Sequence, residues 1–276
     1  MKKILVPTDR SQNAKNALNY ALNLLRGEEA EFVLFQSYDI PTYTADMPVP
    51  VETWGAGELK KILEKDAKEL SDQYRDEKFK FSVSVSAGSL AFNVDDAVSR
   101  MEIDMVVMGT KGASGLTAAL IGSNTADVIQ AATCPVLAVP ENAKMSGPRN
   151  ILFASDNKGL SDPAIVAPLI EISKKFGAHV HLMNVLDEGK FTSVDEAVAG
   201  LKLDHLLEGI EHSFHFENSD DKAQAIEDYL NTHNIDFLAV IPRRNNFFDA
   251  IFHKSVTRKL SLHTKVPMLA MHVLGK

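Results

Sequence analysis

Cysteine is almost absent from the sequence: Cys134 is the single one. One thiol cannot form an internal disulfide and cannot build a zinc ribbon, so both frameworks are excluded. Long apolar runs are also missing. No stretch of eighteen apolar residues occurs, so no membrane span is expected. The apolar run near the start, Ile4 to Pro7, is too short for a secretory signal, which needs a longer core and a cleavage site. A basic excess is missing too. The formal net charge is -8, and binding a phosphate backbone rewards clustered lysine and arginine. A nucleic-acid partner is therefore not expected, and the expected compartment is the cytoplasm.

What is present is a repeat. Residues 3–9 read KILVPTD, and residues 149–156 read RNILFASD. Each is a short apolar run ending in a small residue and an aspartate, Asp9 or Asp156. A long amphipathic stretch follows each, Ala14 to Leu25 and Pro163 to Phe176. Further on, Asp104 to Met108 parallels Asp236 to Ile241, and the run from Cys134 to Val139 parallels that from Val266 to Met271. Glu141 to Gly147 is polar and runs into Pro148, a linker composition. Two domains are expected, residues 1–141 and 148–276.

Within each half, short apolar runs alternate with longer segments of helical period. That alternation predicts βαβ units and a parallel sheet with helices on both faces. The solid apolar strands suit a sheet buried on both sides. In the first half strands are expected near 2–7, 30–37, 81–86, 103–108 and 135–139. Helices are expected near 12–26, 56–76, 90–101 and 122–132. Both last strands, Val136–Val139 and Val266–His272, are apolar edges that invite pairing with each other.

The richest constellation follows the fourth expected strand. Met108-Gly109-Thr110-Lys111-Gly112 is followed by nine residues and then by Gly122-Ser123-Asn124-Thr125. A buried strand thus opens into a glycine-containing loop that feeds a helix. Glycines let a backbone approach an anion closely. The N–H groups of a helix start point at that anion, and the helix dipole adds to the attraction. Ser123 and Thr125 offer hydroxyls. The plain alternative is a surface loop with a helix cap. Position favours the ligand reading, because open parallel sheets bind at the carboxyl ends of their strands, and Asp9 ends the first strand at the same edge. A P-loop and a dinucleotide fingerprint are both excluded: the turn after the first strand, Pro7-Thr8-Asp9-Arg10-Ser11, has no glycine.

The pattern G-x2-G-x9-G-[ST] at Gly109, Gly112, Gly122 and Ser123 resembles the ATP-binding signature of universal stress proteins. The opening ILVPTDRS, Ala87-Gly88-Ser89 and Cys134-Pro135-Val136-Leu137-Ala138-Val139 are similar to that family as well. The resemblance covers about the first 140 residues and implies, for each half, a five-stranded parallel sheet between helices. It implies ATP, with Mg2+ on the phosphates, held by Asp9 and the backbone at Pro7 and Thr8. Ser37 would meet the base edge, Met108 would line the pocket, and Gly109 and Gly112 would sit by ribose and phosphates. Gly122, Ser123, Asn124 and Thr125 would hold the triphosphate. Gln36-Ser37 stands where the family often has His-Val, and Asn124 where it often has valine. Single-domain members pair through their last strands, which implies an intramolecular pseudo-dimer here. The function implied is a nucleotide-dependent regulatory module, with an unidentified protein partner. The alternative is a slow ATPase or phosphoryl-transfer enzyme at the same site. That chemistry needs metal ligands and a group that places the nucleophile, and no carboxylate cluster is evident near the loop. The H-x-G-H and S-G-G-x-D-S motifs of adenylate-forming enzymes are absent.

The second half departs from the pattern. Pro242, Asn245 and Lys254 stand where the first half has its three glycines, and the interval is one residue shorter. Proline offers no N–H, and the other two side chains fill space that a phosphate needs. A degenerate copy is expected, with Arg243, Arg244 and Lys254 as solvated loop residues. The histidines concentrate in this half. His179 and His181 share one strand face, and His212 and His215 lie by the next strand. No ligand spacing such as H-E-x-x-H accompanies them, so ordinary packed or exposed histidines are the favoured reading over a metal site. Cys134 reads as a small buried residue unless its thiol is acidified, when it could sense redox state. The proline-containing segment from Tyr38 to Gly57, with Trp54, is long enough for a lid.

Overall fold

The computed structural model describes residues 1–38, 55–110, 122–155, 162–186, 194–242 and 265–272. The first half runs β1 (Lys2–Pro7), α1 (Gln12–Leu24), β2 (Ala30–Tyr38), α2 (Ala56–Gln73), β3 (Phe79–Ala87), α3 (Leu90–Met101), β4 (Met105–Gly109), α4 (Ser123–Ala131) and β5 (Val136–Val139). The second half runs β6 (Asn150–Ala154), a 3-10 turn at Pro163–Ile165, α5 (Ala167–Phe176), β7 (His179–Leu186), α6 (Val194–Leu206), β8 (His212–Asn218), α7 (Lys222–Thr232), β9 (Phe237–Val240) and β10 (Met268–Ala270).

The ten strands of the described residues join one sheet, in the order β3-β2-β1-β4-β5-β10-β9-β6-β7-β8. Pairing is parallel inside each half. It is antiparallel only at the seam, where Leu137 faces Leu269 and Val136 faces Ala270. The expected α/β architecture with helices on both faces is therefore what forms. The central strands are covered on both sides: Ile4, Leu5 and Val6 are buried, as are all residues of β5, β9 and β10. One face carries α1, α2, α5 and α6, and its apolar cluster runs from Leu63 and Leu22 through Leu137 and Leu269 to Leu203. The other carries α3, α4 and α7, from Val94 through Ala138 and Met268 to Tyr229. Both apolar layers cross the seam without interruption.

The repeated aspartates have a structural task. The Asp104 carboxylate accepts from the backbone N–H of Lys3 at 2.7 Å, and the Asp104 N–H donates to the Lys3 carbonyl. Asp236 repeats this with Arg149 and Asn150. Each aspartate fixes the start of one strand against the next. Elsewhere Ser11 caps α1 by accepting from the Ala14 N–H, as short hydroxyl side chains do at helix starts. Gly177 ends α5 in the left-handed region at φ 62°, where glycine carries no Cβ penalty.

The last strand is shorter than the expected Val266–His272. Pro267 has no N–H for a ladder, so regular pairing begins at Met268, as Pro135 delays β5 to Val136. The seam is reinforced at its ends. Lys2 binds Glu171 of α5 at 2.7 Å, Lys175 binds Glu28, and the partly buried His272 lies 2.6 Å from the Ile129 carbonyl at the end of α4.

Candidate functional site

A cleft of 490 Å³ opens at the carboxyl ends of β1, β2 and β4, a size in the range of small-molecule sites. Strand ends and helix starts build it. After β1 the chain turns sharply: the Asp9 carboxylate accepts from the Ser11 N–H at 2.9 Å, and the Thr8 hydroxyl accepts from the Arg10 N–H at 3.0 Å. Arg10 consequently sits at φ 62°. This turn presents Pro7, Thr8 and Asp9 to the cleft. The end of β2 presents Gln36 and Ser37, and the end of β4 presents Met108 and Gly109.

The far wall is the start of α4. Gly122 is its cap and contributes no side-chain hydrogen bond. Its own N–H donates to the Thr110 carbonyl at 2.7 Å. The next three N–H groups, of Ser123, Asn124 and Thr125, have no carbonyl a turn earlier in the helix to receive them. These three residues line the cleft, where helix-start N–H groups suit an anion. No lysine or arginine is among the described lining residues, and Asp9 is the one acid among them. Attraction for an anion comes from aligned peptide dipoles.

Ten of the eleven residues expected from the sequence share this cleft: Pro7, Thr8, Asp9, Ser37, Met108, Gly109, Gly122, Ser123, Asn124 and Thr125. Gly112 lies outside the described residues, as does the interior of the proposed lid, residues 39–54. Two side-chain roles differ from expectation. The buried Thr125 hydroxyl donates to the Gly109 carbonyl at 2.9 Å, so its proton ties α4 to β4 rather than facing a ligand. Gly109 has a packing reason to be glycine, since a Cβ there would meet the Asn13 backbone at 3.1 Å. Replacing Thr125 with valine leaves that carbonyl unpartnered. Thr125→Val should lower the unfolding free energy by about 1–3 kcal/mol, measured by urea denaturation; an unchanged midpoint would contradict this account.

The sequence reading missed Ala14, Gln36, Gly88, Ser89 and Leu90, which also line the cleft. Gly88 adopts φ 108°, a conformation that favours glycine. Behind it the buried Asn93 donates to the Ser37 hydroxyl at 2.6 Å and to the Ala87 carbonyl, while Ser37 donates to the Gly88 carbonyl. The Ala87-Gly88-Ser89 triplet between strand and helix was the available signal. The Gln36 amide oxygen is buried at the cleft and has no hydrogen-bond partner among the described residues, a cost that a bound donor would remove.

Outside the cleft, burial pushes the Cys134 thiol up to about 12. It is a small buried residue and not an acidified redox thiol. Among the described residues no group of three histidine, cysteine, aspartate or glutamate side chains is arranged to hold a metal ion, and no helix is long and apolar enough to cross a membrane. In the second half the strand register puts Ile241, one residue beyond β9, at the place of Gly109, so Pro242 stands at that of Thr110 and not, as expected, at that of the glycine; Asp156, Arg243, Arg244, Asn245, Lys254 and Ser255 lie outside the described residues.

Comparison with known proteins agrees with this architecture. Residues 1–140 match the profile of the universal stress protein family. The universal stress protein MJ0531 of Methanocaldococcus jannaschii is 29% identical over 148 residues, spanning 52% of this chain and 84% of the relative. Sll1388 of Synechocystis sp. is 28% identical over 150 residues, spanning 50% of this chain and 96% of the relative. A universal stress protein from Archaeoglobus fulgidus has the same fold over 99% of this chain and 98% of its own, with a TM-score of 0.73 at 21% identity. With its first half matched to the family and its whole length folded like one of its members, the chain belongs to the universal stress protein family.

Proposed function

We propose that the first half binds ATP and that the chain acts as a nucleotide-dependent regulatory module of the cytoplasmic stress response. The observation that carries this reading is the pairing, across one cleft, of the Asp9 turn with the uncapped N–H groups of α4. A nucleotide has two unlike ends, and the cleft has two unlike walls. The Asp9 turn and the end of β2 suit ribose and base, where the buried Gln36 amide oxygen can accept from an exocyclic amine. The α4 start suits phosphates, which accept strongly from backbone N–H groups. Because the described walls hold no basic side chain, Mg2+ would supply positive charge to the phosphates.

Residues 1–141 and 148–276 act as two domains in this reading. The antiparallel pairing of β5 with β10 supports an intramolecular pseudo-dimer in which the second half is structural and offers a surface to a protein partner. Binding is favoured over turnover. Efficient phosphoryl transfer needs metal ligands and a group that positions the nucleophile, and Asp9, the single acid of the described walls, already accepts from Ser11.

The test is to purify the whole chain with no nucleotide added, denature it, and identify released small molecules by mass spectrometry. ATP is expected. A chain that releases no nucleotide, and that shows no heat with added ATP and Mg2+, would refute the reading.

A further inference from the structure

Four imidazoles meet where α7 covers β7 and β8. His179 and His181 stand two apart on β7, His215 is on β8, and His233 follows α7. The Ser213 hydroxyl lies 2.9 Å from His179 Nε2 and 2.9 Å from His215 Nε2. His181 Nδ1 lies 3.3 Å from His215 Nε2 and 3.2 Å from the Tyr229 hydroxyl. His233 stacks flat on Tyr229, with ring centres 3.8 Å apart, and its ring is 6.4 Å from that of His215. Tyr229 belongs to α7 and is one of only three buried residues of that helix, with Ala223 and Ile226.

This network suits neutral rings. A neutral imidazole has one donor and one acceptor nitrogen, whereas a charged one has two donors. Between His181 Nδ1 and His215 Nε2 a single proton makes a hydrogen bond. A second proton turns that contact into two donors facing each other and puts like charges side by side. Burial and the neighbouring imidazoles hold His181 down at about 4, and burial and then His233 and His179 hold His215 below the ordinary histidine range. The carboxylates around the cluster are few. Glu211 stands 4.0 Å from His179 on an exposed side chain, Glu217 of β8 raises His215 slightly against the larger effects, and Asp228 of α7 is turned to Gln224.

We propose that this cluster is an acid-sensing element: as the medium acidifies, protonation of the His181–His215 pair releases α7 from the β7–β8 face while the first half keeps its structure. The element is well placed to yield. β8 is an outer strand of the sheet and pairs with β7 alone. The direction follows from proton linkage. Groups held below their ordinary value bind fewer protons folded than unfolded, so stability falls as pH drops from about 6.5 towards the lowered values. On the opposite face of β8, His212 lies 2.9 Å from Asp204 of α6 and is raised, despite burial, by that carboxylate and the Ile210 carbonyl. Its contribution is full at low pH and lost as pH rises through the raised value. Acid therefore strengthens the α6 side of β8 while it weakens the α7 side, which confines the change to α7.

Hydrogen exchange on the whole chain, read by mass spectrometry near pH 7.5 and near pH 5 and corrected for intrinsic rates, tests this. Protection across 222–232 should fall by roughly tenfold or more at the lower pH, while α1 is unaffected. A chain with both His181→Gln and His215→Gln should lose most of that response. Should the double variant fold poorly, the ring protons of the unaltered chain give a second reading by NMR: His181 and His215 should titrate as a coupled pair below the ordinary range, together with shifts of α7 amides. Equal protection of α7 at both pH values, a full response in a folded double variant, or independent ordinary titration without change in α7 would each overturn the proposal.

Discussion

A Gly122→Val chain should fold as its parent does and bind ATP at least about a hundredfold more weakly. The backbone tolerates the change, because Gly122 sits at φ -64° and ψ 157°, a region open to any residue. The bond from its N–H to the Thr110 carbonyl is retained. A β-branched cap is poorer than glycine, at a cost of about 1 kcal/mol. The ligand site fares worse. The new side chain stands at the mouth of α4, beside the N–H groups of Ser123, Asn124 and Thr125. Displacing a phosphate from two such donors removes charge-assisted bonds of about 1.5–3 kcal/mol each, and about 2.7 kcal/mol already amounts to a hundredfold. Titration calorimetry with ATP and Mg2+ gives the affinity, and urea denaturation reports the fold. Gly122→Ala, with a smaller group in the same place, should show an intermediate loss. If the valine chain is well folded and binds ATP as its parent does, the phosphates do not lie at α4.

The architecture was legible where burial is simple. β1, β2 and β4 are covered on both faces, so they read as uninterrupted apolar runs, and their expected limits differ from the observed ones by two residues or fewer. β5 and β10 were legible as apolar edges, and β5 spans its expected Val136–Val139; β10 is shorter than expected, because Pro267 postpones its ladder to Met268. β8 hides its nature: HSFHFEN is an outer strand with polar and aromatic residues on both faces, so it lacks the apolar solidity of the inner strands.

The cleft divides in the same way. Asp9 and the glycines around α4 were legible because a tight turn and a helix start are coded within a few residues. Gln36, Gly88 and Leu90 reach the cleft through the pairing of β2 with β3, where Ser37 stands opposite Ser86 and Tyr38 opposite Ala87. A register between strands so distant in sequence leaves no local pattern for Gln36 or Leu90, and only the Ala87-Gly88-Ser89 triplet marks the end of β3. The histidines illustrate both cases. The alternation of His179 and His181 is local and was read. Their meeting with His215 depends on the register that sets His181 opposite Ser213 and Met183 opposite His215, and on α7 laying Tyr229 across them.

Each chain should take up one ATP, although its sheet is built from two similar halves. Register makes the comparison direct: Ile4 faces Phe32 in the first half as Ile151 faces Val180 in the second. Asn184 therefore occupies the place of Gln36, while Leu238 stands where Val106 does, so Ile241 takes the place of Gly109 and Pro242 that of Thr110. A triphosphate carries several charges and needs many donors at short range. Proline withdraws one N–H from the loop. Counted on from Ile241 in the sequence, Arg244 and Lys254 take the positions of Gly112 and Gly122, so two glycines are replaced by residues with long side chains. Arg243, Arg244 and Lys254 could balance charge, but they cannot restore that space. The isolated second half is a poor test object, because both apolar layers cross the seam and cutting there would bare β10. The Gly122→Val chain is the better instrument, since a tight ATP site that survives in it reports on the second half within an intact sheet. Calorimetry should give a stoichiometry of about one for the parent, and no tight site for the valine chain. Two equivalent sites in the parent, or a tight site surviving in the variant, would show that the second loop accommodates phosphates despite Pro242.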